Sequence, residues 1–219
     1  IVAASLRDMV LVSDPMCSWC WGMGQEFAKF ATRHETRFNF GLLLGGINVN
    51  STQEVSARGR AHLIKLWSTV AETTGQPFNA PPDAYVHNSR QACLGLEWVR
   101  QTHQELAALE ALHHFQQAFF VHGRDLSDAR VIVSLLEKWD DGSLCPGVFD
   151  DMKLNQRIDF QFANARRFGS GGLPAILIGE AENEPGAVSD AQGPGALRLL
   201  AGGYIDCTML EILTLERAQ

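Results

Sequence analysis

The chain has 219 residues, 46% apolar, 20% charged and 9% aromatic, with 18 Lys and Arg against 25 Asp and Glu for a net charge of −7. At roughly 150 residues per domain this length holds one large domain or two small ones, and an acidic balance without a basic run argues against nucleic acid as a partner. No apolar stretch approaches the roughly 18 residues of a membrane helix, and the apolar start at 1–4 is shorter than the h-region of a signal peptide.

The run Met9-Val10-Leu11-Val12 reads as a buried parallel strand and stops at Ser13-Asp14-Pro15, strong turn chemistry. Beyond it Trp21, Phe27 and Phe30 mix with Ala28 and Ala31 while Glu26 and Lys29 can face water, which predicts a helix reaching 32–35. A second strand is predicted at 38–44 and ended by Gly45-Gly46, so the first part is a βαβ unit with parallel strands. From 52 to 168 the periodicity turns helical. Leu63, Leu66, Trp67 and Val70 mark one face, Leu106, Leu109, Leu112 and Phe115 a second, and Val131, Ile132, Leu135, Leu136 and Trp139 a third. Pro77, Pro81 and Pro82 separate the first two, Ser127-Asp128 starts the third and Asp141-Gly142 stops it. Leu154, Ile158, Phe162 and Ala165 predict a further helix, with Gly169 as its cap. A strand at 175–178 and a partner at 197–204 follow, separated by a surface loop at 180–195, and a closing helix fits 206–217. Strands at both ends join one sheet, giving an α/β chain in three parts: 1–50, a mostly helical insertion at 51–168, and 169–219.

Five cysteines are too few for a disulfide scaffold and their odd number leaves a thiol unpaired, which favours a reducing, cytoplasmic setting over a periplasmic one. The chain begins with Ile rather than Met, so its cellular address stays open. Cys17-Ser18-Trp19-Cys20 falls between a strand and a helix, with Cys17 at or beside the helix N-terminus and Cys20 one turn inside. Unpaired amides and the positive end of a helix dipole favour a thiolate there, and the i, i+3 spacing puts both sulfurs on one face. A thiolate at Cys17 can attack a disulfide and be displaced by Cys20. Zinc would ask for a second ligand pair, whereas Cys93, Cys145 and Cys207 stand singly; a c-type haem needs His after the second Cys, where Trp21 stands. An inert structural disulfide has little use for a place between strand and helix. The pair itself is therefore read as the redox centre, with no organic cofactor and no metal.

Gly172-Leu173-Pro174 leads into the strand at 175–178. A trans proline is ordinary there because a first strand position can spare its N–H; a cis bond after Leu173 is the rarer alternative. His113 and His114, adjacent on a helix, point about 100° apart, poor geometry for joint metal ligation. Cys93, among Ala92, Leu96 and Val99, reads as a buried helical thiol, Asp14 as a turn residue rather than a proton relay, and one of Trp19 and Trp21 as part of the core. Whether Cys145 and Cys207 bridge is open.

The stretch Ser13-Asp14-Pro15-Met16-Cys17-Ser18-Trp19-Cys20-Trp21-Gly22 resembles the active-site signature of DsbA-type thiol-disulfide oxidoreductases, especially the FrnE-like, predicted disulfide isomerase branch. Gly45-Gly46, Thr74-Gly75-Gln76-Pro77-Phe78, Asn88-Ser89-Arg90-Gln91-Ala92-Cys93, Gly123-Arg124-Asp125-Leu126-Ser127-Asp128 and Gly171-Gly172-Leu173-Pro174 resemble the same branch. The resemblance implies a thioredoxin fold with a helical insertion, Cys17 as attacking and Cys20 as resolving cysteine, and Pro174 in a cis bond facing them. Leu173 would present its backbone to an extended substrate segment, with Ser18 and Trp19 beside it. Substrates would be protein or peptide thiols and disulfides, read mainly through the main chain, with a small thiol or a thioredoxin-type protein as redox partner. Ser18-Trp19 departs from the Pro-His pair of the periplasmic oxidant, so strong oxidising power is not implied. Two rivals stand beside this reading. One is a glutathione-dependent transferase or isomerase on the same fold, a branch that usually carries a single serine where this chain has Cys17. The other is a non-catalytic metal-binding or interaction module.

Overall fold

The apolar run at 9–12 lies within strand β1 (Arg7–Ser13) of the computed structural model, which describes residues 6–168, 172–179 and 197–215. Helix α1 (Ser18–Arg33) carries the chain over to β2 (Phe38–Leu44), which pairs parallel with β1 from Arg7↔Phe38 to Ser13↔Leu44. Four helices come next: α2 (Ala57–Thr74), α3 (Arg90–Phe120), α4 (Ala129–Leu135) and α5 (Met152–Phe168). The chain then returns to the same sheet as β3 (Ala175–Gly179) and β4 (Leu197–Gly202), both antiparallel to their neighbours, and closes with α6 (Cys207–Leu215). The strand order is β2-β1-β3-β4, the α/β arrangement of a thioredoxin fold with a helical insertion between β2 and β3.

Strand β3 is buried along its whole length, which explains its unbroken apolar sequence: one side meets Met9, Leu11, Phe27 and Phe30, the other Val12 and Ala165. Within the insertion, Phe119 and Phe120 meet Trp67 and each other edge to face, with the Trp67 and Phe120 ring centroids 4.9 Å apart, and Phe78 lies edge to face with Phe120 and tilted against Trp67. Trp21 of α1 joins this cluster, lying 6.3 Å from Phe120 and donating its indole N–H to the Pro77 carbonyl at 3.0 Å. Of the two tryptophans near the cysteines, Trp21 is thus the core residue.

The outer edge of β2 is closed by side chains of the insertion. Glu105 accepts the Leu42 amide at 2.6 Å, Arg100 donates to the Leu42 carbonyl at 2.8 Å, and Gln161 accepts the Leu44 amide at 3.2 Å. A sheet edge covered this way cannot pair with another chain. Glu97, 2% exposed, holds the set together by accepting from Gln161 at 2.7 Å and pairing with Arg100.

Two helices differ from the sequence reading. α3 runs for 31 residues with a kink at Gln104 (φ 70°, ψ −178°), one residue before Glu105, which bonds β2. The helix predicted around 131–139 ends at Leu135, and a 3-10 turn at Glu137–Trp139 completes it; Asp128 caps its start by accepting the Arg130 amide at 2.8 Å. A second 3-10 turn, Pro146–Asp150, follows Cys145, with Pro146 at the first position, where its missing N–H costs nothing. The cap expected at Gly169 and the loop at 180–195 lie outside the described residues.

Removing the Glu97 carboxylate leaves Arg100 and Gln161 without their buried acceptor. Glu97→Ala is expected to lower stability by about 3–5 kcal/mol, the cost of breaking a buried pair, measured as a fall in the urea midpoint of unfolding followed by circular dichroism.

Candidate active site

Strand β1 runs into a turn that delivers Cys17 to the start of α1. Asp14 makes the turn bond, its Oδ1 accepting the Met16 amide at 2.8 Å, and its carbonyl accepts the Cys17 amide at 3.2 Å. Cys17 is the N-cap residue (φ −88°, ψ 117°), and its Sγ accepts the Cys20 amide at 3.4 Å. The sulfur thus stands at the positive end of a 16-residue helix. Cys17 is 9% exposed and Cys20 3%. Burial, and then the Cys17 thiol beside it, hold the Cys20 thiol well above the ordinary cysteine range.

The chain returns opposite this turn. The Leu173–Pro174 peptide bond is cis, and the Leu173 carbonyl lies 3.8 Å from Cys17 Sγ. Pro174 is buried and Leu173 half-buried. Leu173 packs so tightly on the end of β2 that a Cβ at Gly45 would stand 2.4 Å from its Cδ1, which accounts for a glycine at that strand end. Gly172 takes φ +107°, the left-handed backbone that lets the chain turn into this loop.

Asp14 has more partners than a turn residue needs. Fully buried, it accepts at Oδ2 from the Ser89 hydroxyl at 2.6 Å and the Ile47 amide at 3.0 Å, and the Cys93 thiol lies 3.9 Å away. Desolvation raises its carboxyl above the usual range, against the pull of those donors. Gln116 adds a bond to its carbonyl at 3.3 Å. The sequence carried the turn signal; the other partners, 33, 75 and 102 positions away, left no local trace.

The remaining candidates separate by burial. Ser18 is 6% exposed, so of the two residues between the cysteines Trp19 has the greater exposure, its ring centroid 6.3 Å from that of Tyr204 at 45°. His113 stacks 5.3 Å from Trp21, and burial lowers the pKa of both His113 and His114. All five cysteines are free thiols; Cys93 is buried in α3, Cys145 is exposed and Cys207 buried, so the last two form no bridge. Among the described residues no group of three His, Cys, Asp or Glu could hold a metal ion.

A cysteine pair at the first turn of α1, faced by a proline loop on a sheet of this order, defines a thioredoxin-fold protein of the dithiol type. The chain belongs to the DSBA-like thioredoxin domain family, whose family model matches residues 9–199. Among solved structures, a candidate protein disulfide isomerase from Nitrosomonas europaea is similar at a TM-score of 0.80, with 21% identity over 98% of each chain. The cytosolic disulfide reductase DsbM from Pseudomonas aeruginosa, solved also with GSH, gives 0.70 and 22% identity over 97% of this chain and 98% of that one. A 2-hydroxychromene-2-carboxylate isomerase gives 0.63 and 16% identity over 96% of each chain. No curated protein matches by sequence.

The Asp14 carboxylate is the shared acceptor of the site, so Asp14→Ala is expected to cost about 1–3 kcal/mol for each amide or hydroxyl left unsatisfied. Asp14→Asn, which retains one acceptor oxygen, should lose less. Guanidinium unfolding of the two variants checks the order.

Proposed function

We propose that the chain is a thiol-disulfide oxidoreductase that exchanges disulfides with protein or peptide substrates through Cys17 and Cys20. The observation that carries this reading is the asymmetry of the pair. Cys17 caps α1 beside the Leu173 carbonyl, and Cys20 sits one turn behind it, more deeply buried and held as a thiol. Members of the family are thiol-disulfide oxidoreductases, which supports the assignment.

In the reductive direction, the Cys17 thiolate attacks a substrate disulfide, forming a Cys17–substrate disulfide and expelling the other sulfur as a thiolate that takes a proton. Cys20 then loses its proton and attacks the Cys17 sulfur, closing the Cys17–Cys20 disulfide and releasing the substrate reduced. A small thiol or a thioredoxin-type dithiol returns the pair to its starting state, becoming oxidised as it does so; the GSH complex of the Pseudomonas aeruginosa reductase supports a small thiol. The opposite direction runs the same steps in reverse. An extended substrate would pair with the Leu173 backbone, so many sequences could be accepted. The redox equivalents reside in the pair, and the reaction as proposed uses no metal or organic cofactor. No helix among the described residues is long and apolar enough to cross a membrane. The reading favours the cytoplasm over the periplasm, supported by the cytosolic setting of the Pseudomonas aeruginosa reductase.

The rival glutathione-dependent isomerase finds support only in a shared fold, and it leaves Cys20 without a task. Stoichiometric zinc in the purified protein would favour the metal-binding module.

Cys17→Ser is expected to abolish exchange, since a serine hydroxyl is not ionised near neutral pH, while Cys20→Ser should accumulate a mixed disulfide visible by intact mass under non-reducing conditions. Equal loss and no adduct in either variant would overturn the assignment. Because the Cys20 thiol is held protonated, release of the mixed disulfide should quicken with pH, by about tenfold per unit above neutrality, following the thiolate fraction; quenched-flow mass spectrometry resolves that step. Without a histidine between the cysteines, the couple should equilibrate with glutathione at a potential well below about −120 mV, the strongly oxidising end of the known range.

A further inference from the structure

We infer that Ser13 and the cleft it lines handle the proton of Cys20: the hydroxyl turns to the sulfur as it ionises, and water in the cleft carries the proton away. The inference deepens the redox reading above and rests on it. Closing the Cys17–Cys20 bond requires a buried thiol to give up its proton, and among the described residues no carboxylate or imidazole is hydrogen-bonded to that thiol. A cleft of about 370 Å³ between α1 and α3 reaches Cys20. Leu11, Phe27 and Leu112 form its apolar walls, and Ser13, Cys20 and Gln116 give its inner end a polar surface. None of Cys17, Trp19 and Leu173 lines it, so it meets the pair at Cys20, apart from the side where the Leu173 carbonyl faces Cys17.

The Ser13 hydroxyl is the anomaly of this surface. It is 1% exposed and has no hydrogen-bond partner among the described residues, although a buried hydroxyl left unpaired lowers stability. Its neighbour gives that sacrifice a purpose. Burial, and then Cys17, raise the Cys20 thiol above the ordinary range, and the Ser13 side chain works against them by favouring the thiolate. A hydroxyl idle beside the thiol thus becomes a donor to the sulfur once the proton has gone. The cleft has room for several waters, each taking about 30 Å³ in the liquid, and Gln116 offers them a second polar partner. Gln116 donates to the Asp14 carbonyl and keeps its own oxygen on the side of Gly24, in the cleft wall. The other titratable groups around Cys20 are engaged elsewhere. The Asp14 carboxylate is held by Met16, Ile47 and Ser89. At the exposed end of the cleft Glu110 pairs with Lys138, and His113, its pKa lowered by burial, stacks on Trp21.

In the step concerned, Cys20 gives its proton to water in the cleft and its thiolate bonds to the Cys17 sulfur. The substrate leaves as a thiolate that takes a proton, so the pair ends oxidised and the substrate reduced. Ser13→Ala should slow this release by about three- to tenfold. A hydrogen bond to a thiolate is worth about one to two decades of thiolate fraction, and the greater nucleophilicity of a more basic sulfur returns about half of that on a logarithmic scale. The same variant should unfold at an equal or higher urea concentration, since it removes an unpaired buried hydroxyl. Attack by Cys17 on a symmetric peptide disulfide, followed as mixed disulfide formed in the Cys20→Ser background, should stay within about twofold of its rate with Ser13 in place. Quenched-flow mass spectrometry resolves both steps. Ser13→Thr and Ser13→Val are alike in shape and differ in the hydroxyl, so the first should release faster than the second by the same factor, even should the alanine variant not fold. Gly24→Leu, placed where a Cβ meets only the Gln116 oxygen at 3.8 Å, should slow release by filling the cleft. Unchanged release in Ser13→Ala, threonine no faster than valine, or a loss shared by both steps with a lower unfolding midpoint overturns the role of the hydroxyl, and unchanged release in Gly24→Leu overturns the cleft as the exit. Absence of any mixed disulfide in folded Cys20→Ser protein overturns the redox reading itself.

Discussion

The buried Asp14 carboxylate is the constraint on which the arrangement of this molecule turns. Removing a carboxylate from water is costly unless hydrogen-bond donors replace the lost solvent. Asp14 receives its donors from the turn at Met16, from Ile47 beyond β2, and from Ser89 at the start of α3. No one of these segments could satisfy it alone. The turn that presents Cys17 is therefore tied through one carboxylate to the helical block seated on the sheet.

Burial also sets two chemically identical thiols apart. Cys17 occupies the cap position, where its sulfur accepts an amide proton and faces the positive end of α1. Cys20, one turn further in, has lost its solvent and stands beside another sulfur, so its proton is held tightly. Both effects raise the energy of a second negative charge in so small a volume. In the proposed reaction this difference offers one sulfur for attack and keeps the other in reserve.

The insertion does more than cover apolar surface. Glu105, Arg100 and Gln161 supply the backbone of β2 with the partners that another strand would otherwise provide, and Trp21 ties the aromatic cluster of the insertion to the helix bearing the cysteines. The kink at Gln104 stands one residue before Glu105, on a helix whose N-cap Ser89 bonds Asp14 and whose Glu105 bonds the strand edge. Edge satisfaction and site assembly draw on the same helix.

What was legible in the sequence followed from local physics. Strand β2 was readable at 38–44 because an apolar run ends at two glycines, and α1 because a turn and a cysteine cap precede a helical apolar face. The Cys17–Cys20 spacing and the Gly-Leu-Pro approach to β3 were likewise local, and the family resemblance they carried agrees with the family to which the chain belongs. Asp14 showed only its turn bond, and Tyr204 gave no signal at all. Their partners are distant in the chain, and a hydrogen bond across 75 positions or a ring contact between residues 19 and 204 leaves no periodicity or spacing to read. By itself the sequence determined most of the elements, the sheet and the placing of the cysteine pair between strand and helix, because propensity, turn chemistry and i, i+3 geometry act over a few residues. Which carboxylate anchors the turn, which thiol is the more deeply buried and which aromatic ring stands beside Trp19 were decided by the tertiary structure, since burial and long-range contact exist only once the chain has closed on itself.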